Sequence, residues 1–181
     1  MRRATGVDAP VENLVRLSGG ANMESSAFDY DGAAYVLRRA PSAEMMAGRA
    51  YGHDVEAALV RAAFAAEVKA PEVVAEIAPG DDIGTGYVMR RVVAEVAPAR
   101  ILADPPPSLL ADCARELARV HAIVPDDFTM LPAPSPALIL AEMRQRFLTY
   151  GGDRPIFALA FHWLEEHLPT PDDAVLLHGD F

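Results

Sequence analysis

One change of period, between residues 93 and 98, does most to limit what this chain can fold into. Ahead of it the apolar residues read as strands. From Val15 to Arg39 a polar, glycine-rich turn (LSGGAN) leads into an apolar and aromatic stretch ending at Tyr30, then the turn Asp31–Gly32, then AAYVLRR. That is a β-hairpin bracketed by a glycine loop. Residues 54 to 66 are alanine-rich, with Val55, Leu59, Ala62 and Ala66 at helical spacing. PEVVAEIAP and GYVMRRVV supply β-branched residues bounded by Gly and Pro, and predict two further strands around the loop GDDIGTG.

Past residue 98 the pattern is helical. Leu110, Ala114, Leu117 and His121 share one face, and PALILAEMRQRFLTY continues the helical spacing after a proline-rich connector. Asp153 and Pro155 predict another helix start, with an apolar stripe of Ile156, Leu159, Ala160, Trp163 and Leu164 closed by Pro169. The last segment, AVLLHGDF, breaks that pattern as a short apolar run read as a strand. Strands first and helices later predict an α+β fold in two lobes, residues 1–93 and 94–181.

Composition narrows the function. A net charge of -10 argues against nucleic acid, which calls for a basic face. No run approaches the ~20 apolar residues of a membrane span, and the opening MRRATGVDAP lacks the apolar middle of a secretory signal. The single Cys113 cannot form an internal disulfide, which fits a reducing cytoplasm. The five histidines show no HExxH or similar spacing, so no metal ligand is expected among them.

Four places could carry chemistry. Gly19, Gly20, Ala21 and Asn22 form a loop small enough for backbone N–H groups to approach phosphate, although read alone it is more often a tight turn. Strand alternation puts Arg38 on one face of the hairpin and Arg39 on the other, so one arginine faces inward. Glu56 lies at the edge of an apolar stripe with Leu59, Val60 and Ala63, where an unpaired carboxylate is costly; a solvated glutamate fits equally well. HGDF at 178–181 is a weak signal by itself.

Taken in order, LSGGAN, LRRAP, the helix carrying Glu56, GYVMRRV and LLHGDF resemble the aminoglycoside phosphotransferase family over nearly the whole chain. The LSGGA, VLRR and HGD segments look most like its branch related to domains fused to acyl-CoA dehydrogenases. The resemblance implies a protein-kinase-like fold, with an N-terminal β-sheet lobe that binds ATP followed by the start of a helical lobe. It also implies O-phosphorylation of a small hydroxylated acceptor: an aminoglycoside, another sugar or amino alcohol, or a hydroxyacyl thioester. The glycine loop would cover the phosphates. Arg38 would stand where the family usually has lysine, held by Glu56. Met89 would line the back of the nucleotide pocket, and backbone near Arg91 and Val92 would bind adenine. His178 would be structural, and Asp180 would accept the acceptor hydroxyl's proton.

Kinase-type loops place an asparagine about five residues after that aspartate, and a second aspartate beyond, to hold Mg²⁺. Both would fall past Phe181, so the 181-residue chain is expected to be inactive as a fragment, with helices after residue 108 left uncovered and prone to self-association. The competing expectation is a degenerate nucleotide-binding or protein-interaction module. A dinucleotide-binding oxidoreductase is excluded, because GDDIGTG sits between strands without the GxGxxG spacing.

Overall fold

The structure is a computed structural model that describes residues 1–17, 23–169 and 174–179. Five strands form one antiparallel sheet: β1 (Val11–Arg16), β2 (Glu24–Tyr30), β3 (Ala33–Ala40), β4 (Val73–Glu76) and β5 (Thr85–Arg90), in the order β1-β2-β3-β5-β4. Asp31 and Gly32 close the β2–β3 hairpin with φ of 49° and 70°. Two successive positive φ values match the twist of the flanking strands, and Asp-Gly is a pair that tolerates them.

Register sorts the side chains onto two faces. Phe28 lies opposite Tyr35 and Leu37 opposite Val88, and Phe28, Tyr30, Tyr35 and Val88 make the buried cluster on one face. Phe28 stacks on Tyr35 with ring centroids 5.6 Å apart, the cross-strand pairing that stabilises a sheet beyond area burial. A short N-terminal turn of helix, α1 (Arg2–Thr5), precedes the sheet, and Met1 packs against this cluster. The opposite face carries Ala27, Val36 and Met89 in one row, and Ser25, Arg38 and Tyr87 in the next.

Helix α2 (His53–Ala65) packs on β4 and β5. Its alanine content permits close approach, with Ala57 fully buried, and Asp54 and Glu56 in its first turn suit the positive end of the helix dipole. The loop into β5 is tight: Gly84 has φ +88°, and a Cβ there would lie 2.0 Å from the Ala40 carbonyl oxygen. Gly84→Ala should therefore destabilise the protein by about 2–4 kcal/mol, read as a lower midpoint in denaturant unfolding, because neither backbone can give way cheaply.

The first compact unit runs through residue 130, takes in the described residues from Val175 onward, and includes α3 (Pro98–Ala103) and α4 (Leu109–His121). The inward face of α4 differs from the expected one. Leu110 is 85% exposed and Ala114 is exposed, while Glu116 and Val120 are buried and Leu109, Cys113 and Leu117 half-buried. Glu116 turns inward because it accepts the Lys69 backbone N–H at 2.8 Å and an Arg119 N–H at 2.7 Å, partners 47 and 3 residues away.

The second unit, residues 131–174, is built on α5 (Pro136–Thr149) and α6 (Pro155–Glu166). Ser135 caps α5 by accepting the Leu138 N–H at 3.3 Å, and Pro136 occupies its first turn. Phe147 packs against Phe157 and Phe161, and Arg144 pairs with Glu165. Because α6 meets α5 through positions 157, 161 and 165, the expected stripe at Ile156, Leu159, Trp163 and Leu164 stays exposed. The cap position of α6 is Arg154, one residue after the expected Asp153.

The strand expected over AVLLH does not form: residues 174–178 carry no regular secondary structure. A strand persists only where a neighbour pairs its backbone groups, and the described sheet offers none to this segment. The elements are those of an α+β chain, a sheet with one crossing helix followed by helices, as the sequence predicts.

Candidate functional site

Arg38 leaves β3 on the face that α2 covers, because it lies one register step from Val36 and opposite Tyr87. Glu56, in the first turn of α2, reaches the same place. Its Oε1 accepts the Arg38 Nε–H at 2.7 Å and the Tyr87 hydroxyl at 3.3 Å. Arg38 and Glu56 are about a quarter exposed, so the pair is shielded yet reachable. A charge-assisted bond in such a setting is stronger than a surface pair, and it fixes the guanidinium's direction. The structure thus brings together two of the expected residues.

Arg39 points to the opposite face. It is held by Glu24, directly across on β2, at 3.0 Å, and donates to the Ile83 carbonyl at 3.1 Å. Met89 is half-buried on the Arg38 face, opposite Val36. Arg91 and Val92 are exposed just past β5. The Arg91 N–H is already committed to the Ala34 carbonyl at 3.0 Å, and its side chain lies 3.7 Å from Asp29. Gly19, Gly20, Ala21, Asn22 and Asp180 lie outside the described residues.

Tyr87 and His53, with Thr85 behind His53, escaped the sequence reading as parts of this site. Tyr87 is buried, and its phenol titrates well above the usual range, mainly through burial and then through the Glu56 charge, so it remains a donor. His53 begins α2 and is buried, with Nδ1 3.0 Å from the Thr85 hydroxyl and Nε2 4.0 Å from Glu56 Oε2. No local signal marks it, because its partner Thr85 is 32 residues away.

Burial lowers the His53 pKa below the ordinary 6.5; Glu56 and Asp54 oppose that shift, and Arg38 and Arg49 reinforce it. The folded state therefore binds the proton less well than the unfolded state. The resulting stability is complete above pH 6.5 and is lost as pH falls toward the depressed folded value. The free energy of unfolding should fall as pH is lowered from about 7.5 to about 5, with a slope from this group of at most about 1.4 kcal/mol per pH unit. His53→Gln should flatten that limb.

A concavity of about 450 Å³ opens on the other face of the sheet, lined by residues that include Val7, Tyr35, Glu72 and Arg90. It contains none of the expected residues, and Arg90 there is occupied by Tyr35 and Glu72. The convergence of charge and buried donors lies instead at Arg38, Glu56, Tyr87 and His53. Among the described residues no helix is long and apolar enough to cross a membrane.

Comparison with known proteins bears on the family and on the kinase-like fold. The model of the phosphotransferase enzyme family matches residues 13–181. No curated protein matches the chain significantly. A crystal structure from Ralstonia eutropha JMP134, of a protein described provisionally as an aminoglycoside phosphotransferase, superposes with a TM-score of 0.75 at 19% identity, covering 99% of this chain and 55% of that one. A thermostable mutant of the aminoglycoside phosphotransferase APH(4)-Ia, in a ternary complex with AMP-PNP and hygromycin B, aligns at 24% identity over 65% of this chain and 37% of that one, with a TM-score of 0.46. The chain spans little more than half the length of the first of these structures.

Proposed function

The chain belongs to the phosphotransferase enzyme family, and from that premise we propose that it carries the ATP-binding part of a kinase acting on a small hydroxylated molecule. The observation that carries this reading is the Arg38–Glu56 pair, 2.7 Å across, joining the third strand to the crossing helix. A guanidinium held by its Nε keeps its outer N–H groups for a ligand, and their fork suits phosphate oxygens. Residues 1–93 form the nucleotide lobe in this reading, and residues from 94 onward begin the helical lobe.

Gly19, Gly20, Ala21 and Asn22 are assigned to the phosphates, Met89 to the back of the nucleotide pocket and the backbone after Arg91, at Val92, to adenine. Asp180 is assigned as the proton acceptor. The acceptor oxygen bonds to the γ-phosphorus, the bond from that phosphorus to the β,γ-bridging oxygen breaks, ADP leaves, and the hydroxyl proton passes to the Asp180 carboxylate. Among the described residues no group of three or more His, Cys, Asp or Glu is placed to hold a metal. Mg²⁺ belongs to this reading through the family pattern, which holds it on an asparagine and a second aspartate that follow the catalytic aspartate. The acceptor is an aminoglycoside, another sugar or amino alcohol, or a hydroxyacyl thioester, the last supported only by the resemblance of the LSGGA, VLRR and HGD segments to the acyl-CoA dehydrogenase-associated branch.

A thermal-shift series tests the reading. AMP-PNP at millimolar concentration should raise the unfolding midpoint of the chain in a saturable way, and NAD should leave it unchanged. Equal shifts with both, or none with either, would contradict it.

A further inference from the structure

The site contains a buried polar atom, His53 Nε2, with no hydrogen-bond partner among the described residues. His53 is only 3% exposed, so water does not readily supply the missing bond. Its other ring nitrogen lies 3.0 Å from the Thr85 hydroxyl, and Nε2 faces Glu56 Oε2 at 4.0 Å. Glu56 meanwhile spends Oε1 on both Arg38 and Tyr87.

The surroundings select the tautomer. A bare lone pair on Nε2 would face a carboxylate and be repelled, whereas a threonine hydroxyl can donate to Nδ1 and leave the proton on Nε2. The other charges around the ring are Asp54 on its own helix, Arg49 before it, and Arg38 on β3, while Tyr87 approaches from β5 with ring centroids 6.3 Å apart. At 4.0 Å the Nε2–H is too far from Glu56 to bond, and a shift of about 1 Å closes the gap.

We propose that His53 is a positioning residue for the Arg38–Glu56 pair: when Arg38 turns donors toward a nucleotide phosphate, the His53 Nε2–H closes on Glu56 Oε2 and keeps the carboxylate aimed at the guanidinium. This rests on the nucleotide reading of Arg38. It gives the orphaned donor a partner in the bound state, and it uses Thr85 to hold the ring in the required tautomer.

Two substitutions separate this role from simple seating of the helix. Glutamine places an amide N–H near the ε position, and asparagine keeps a polar group near the δ position for Thr85 but loses the ε donor. In titrations of the full 181-residue chain with AMP-PNP, His53→Gln should stay within about twofold of the unchanged protein, and His53→Asn should bind on the order of tenfold more weakly. The opposite order, with asparagine retaining affinity and glutamine losing it, would overturn the proposal. Imidazole ¹⁵N spectra of the unchanged protein give a readout free of folding defects. The expected pattern is the Nε2–H tautomer, with that proton becoming protected from exchange as AMP-PNP is added. An Nδ1–H tautomer in a protein that still binds AMP-PNP would defeat the role of His53 alone, whereas no AMP-PNP binding at all would defeat the nucleotide reading and this proposal with it.

Discussion

Replacing Arg38 with alanine should weaken AMP-PNP binding to this chain by about 10- to 100-fold, the loss expected when a charge-assisted contact to phosphate disappears. Glu56→Ala should cost on the order of tenfold, because the guanidinium would remain without its anchor 2.7 Å away. The two losses should not add. In the Arg38→Ala background, removing Glu56 has little left to disturb, so the double-mutant cycle should show a coupling of about 1–3 kcal/mol. Arg38→Lys distinguishes charge from geometry: a lysine can present a point charge to phosphate but cannot reproduce the Nε contact to Glu56, so affinity should fall less than with alanine. Glu56→Ala should also lower stability modestly, by about 1 kcal/mol, since both side chains are partly exposed and the Tyr87 hydroxyl loses its acceptor.

Asp180→Asn should remove turnover while sparing nucleotide affinity. Where transfer is measured, in the chain or in a longer polypeptide that contains it, kcat should drop by about 10²- to 10⁴-fold, the usual contribution of a positioned base. Asparagine keeps the size and loses the proton acceptor, so the AMP-PNP dissociation constant should change by less than about threefold if Asp180 acts on the hydroxyl rather than on the nucleotide. A parallel loss of affinity and rate would move Asp180 from the acceptor side to the phosphate side of the reaction.

The sheet was readable from the sequence because its signals are local. Asp31 and Gly32 supply the two positive φ values of the hairpin, and strand alternation alone separates Arg38 from Arg39. The helix from His53 starts within one residue of the expected position because its alanines and β-branched residues keep helical spacing. The register of α4 was misread for a reason periodicity cannot supply. Counting apolar residues treats Glu116 as a surface group, yet it is buried by bonds to a distant backbone amide and a neighbouring arginine. His53 was missed for a related reason, since a lone histidine at a helix start carries no signal until Thr85 folds against it. The strand expected at AVLLH rested on apolar content, and a strand needs a paired edge as well. The assignments of Gly19 to Asn22 and of Asp180 rest on motif order alone, and these positions lie outside the described residues.

The most direct test of the nucleotide reading is an NMR titration that follows the Arg38 Nε–H and guanidinium signals as AMP-PNP is added to the unchanged chain. The expected result is saturable movement of the guanidinium signals with the Nε–H still protected, showing that Arg38 meets the phosphates while Glu56 holds it. Saturable binding that leaves Arg38 unmoved, or no binding at millimolar nucleotide, would contradict the assignment of this pair to ATP.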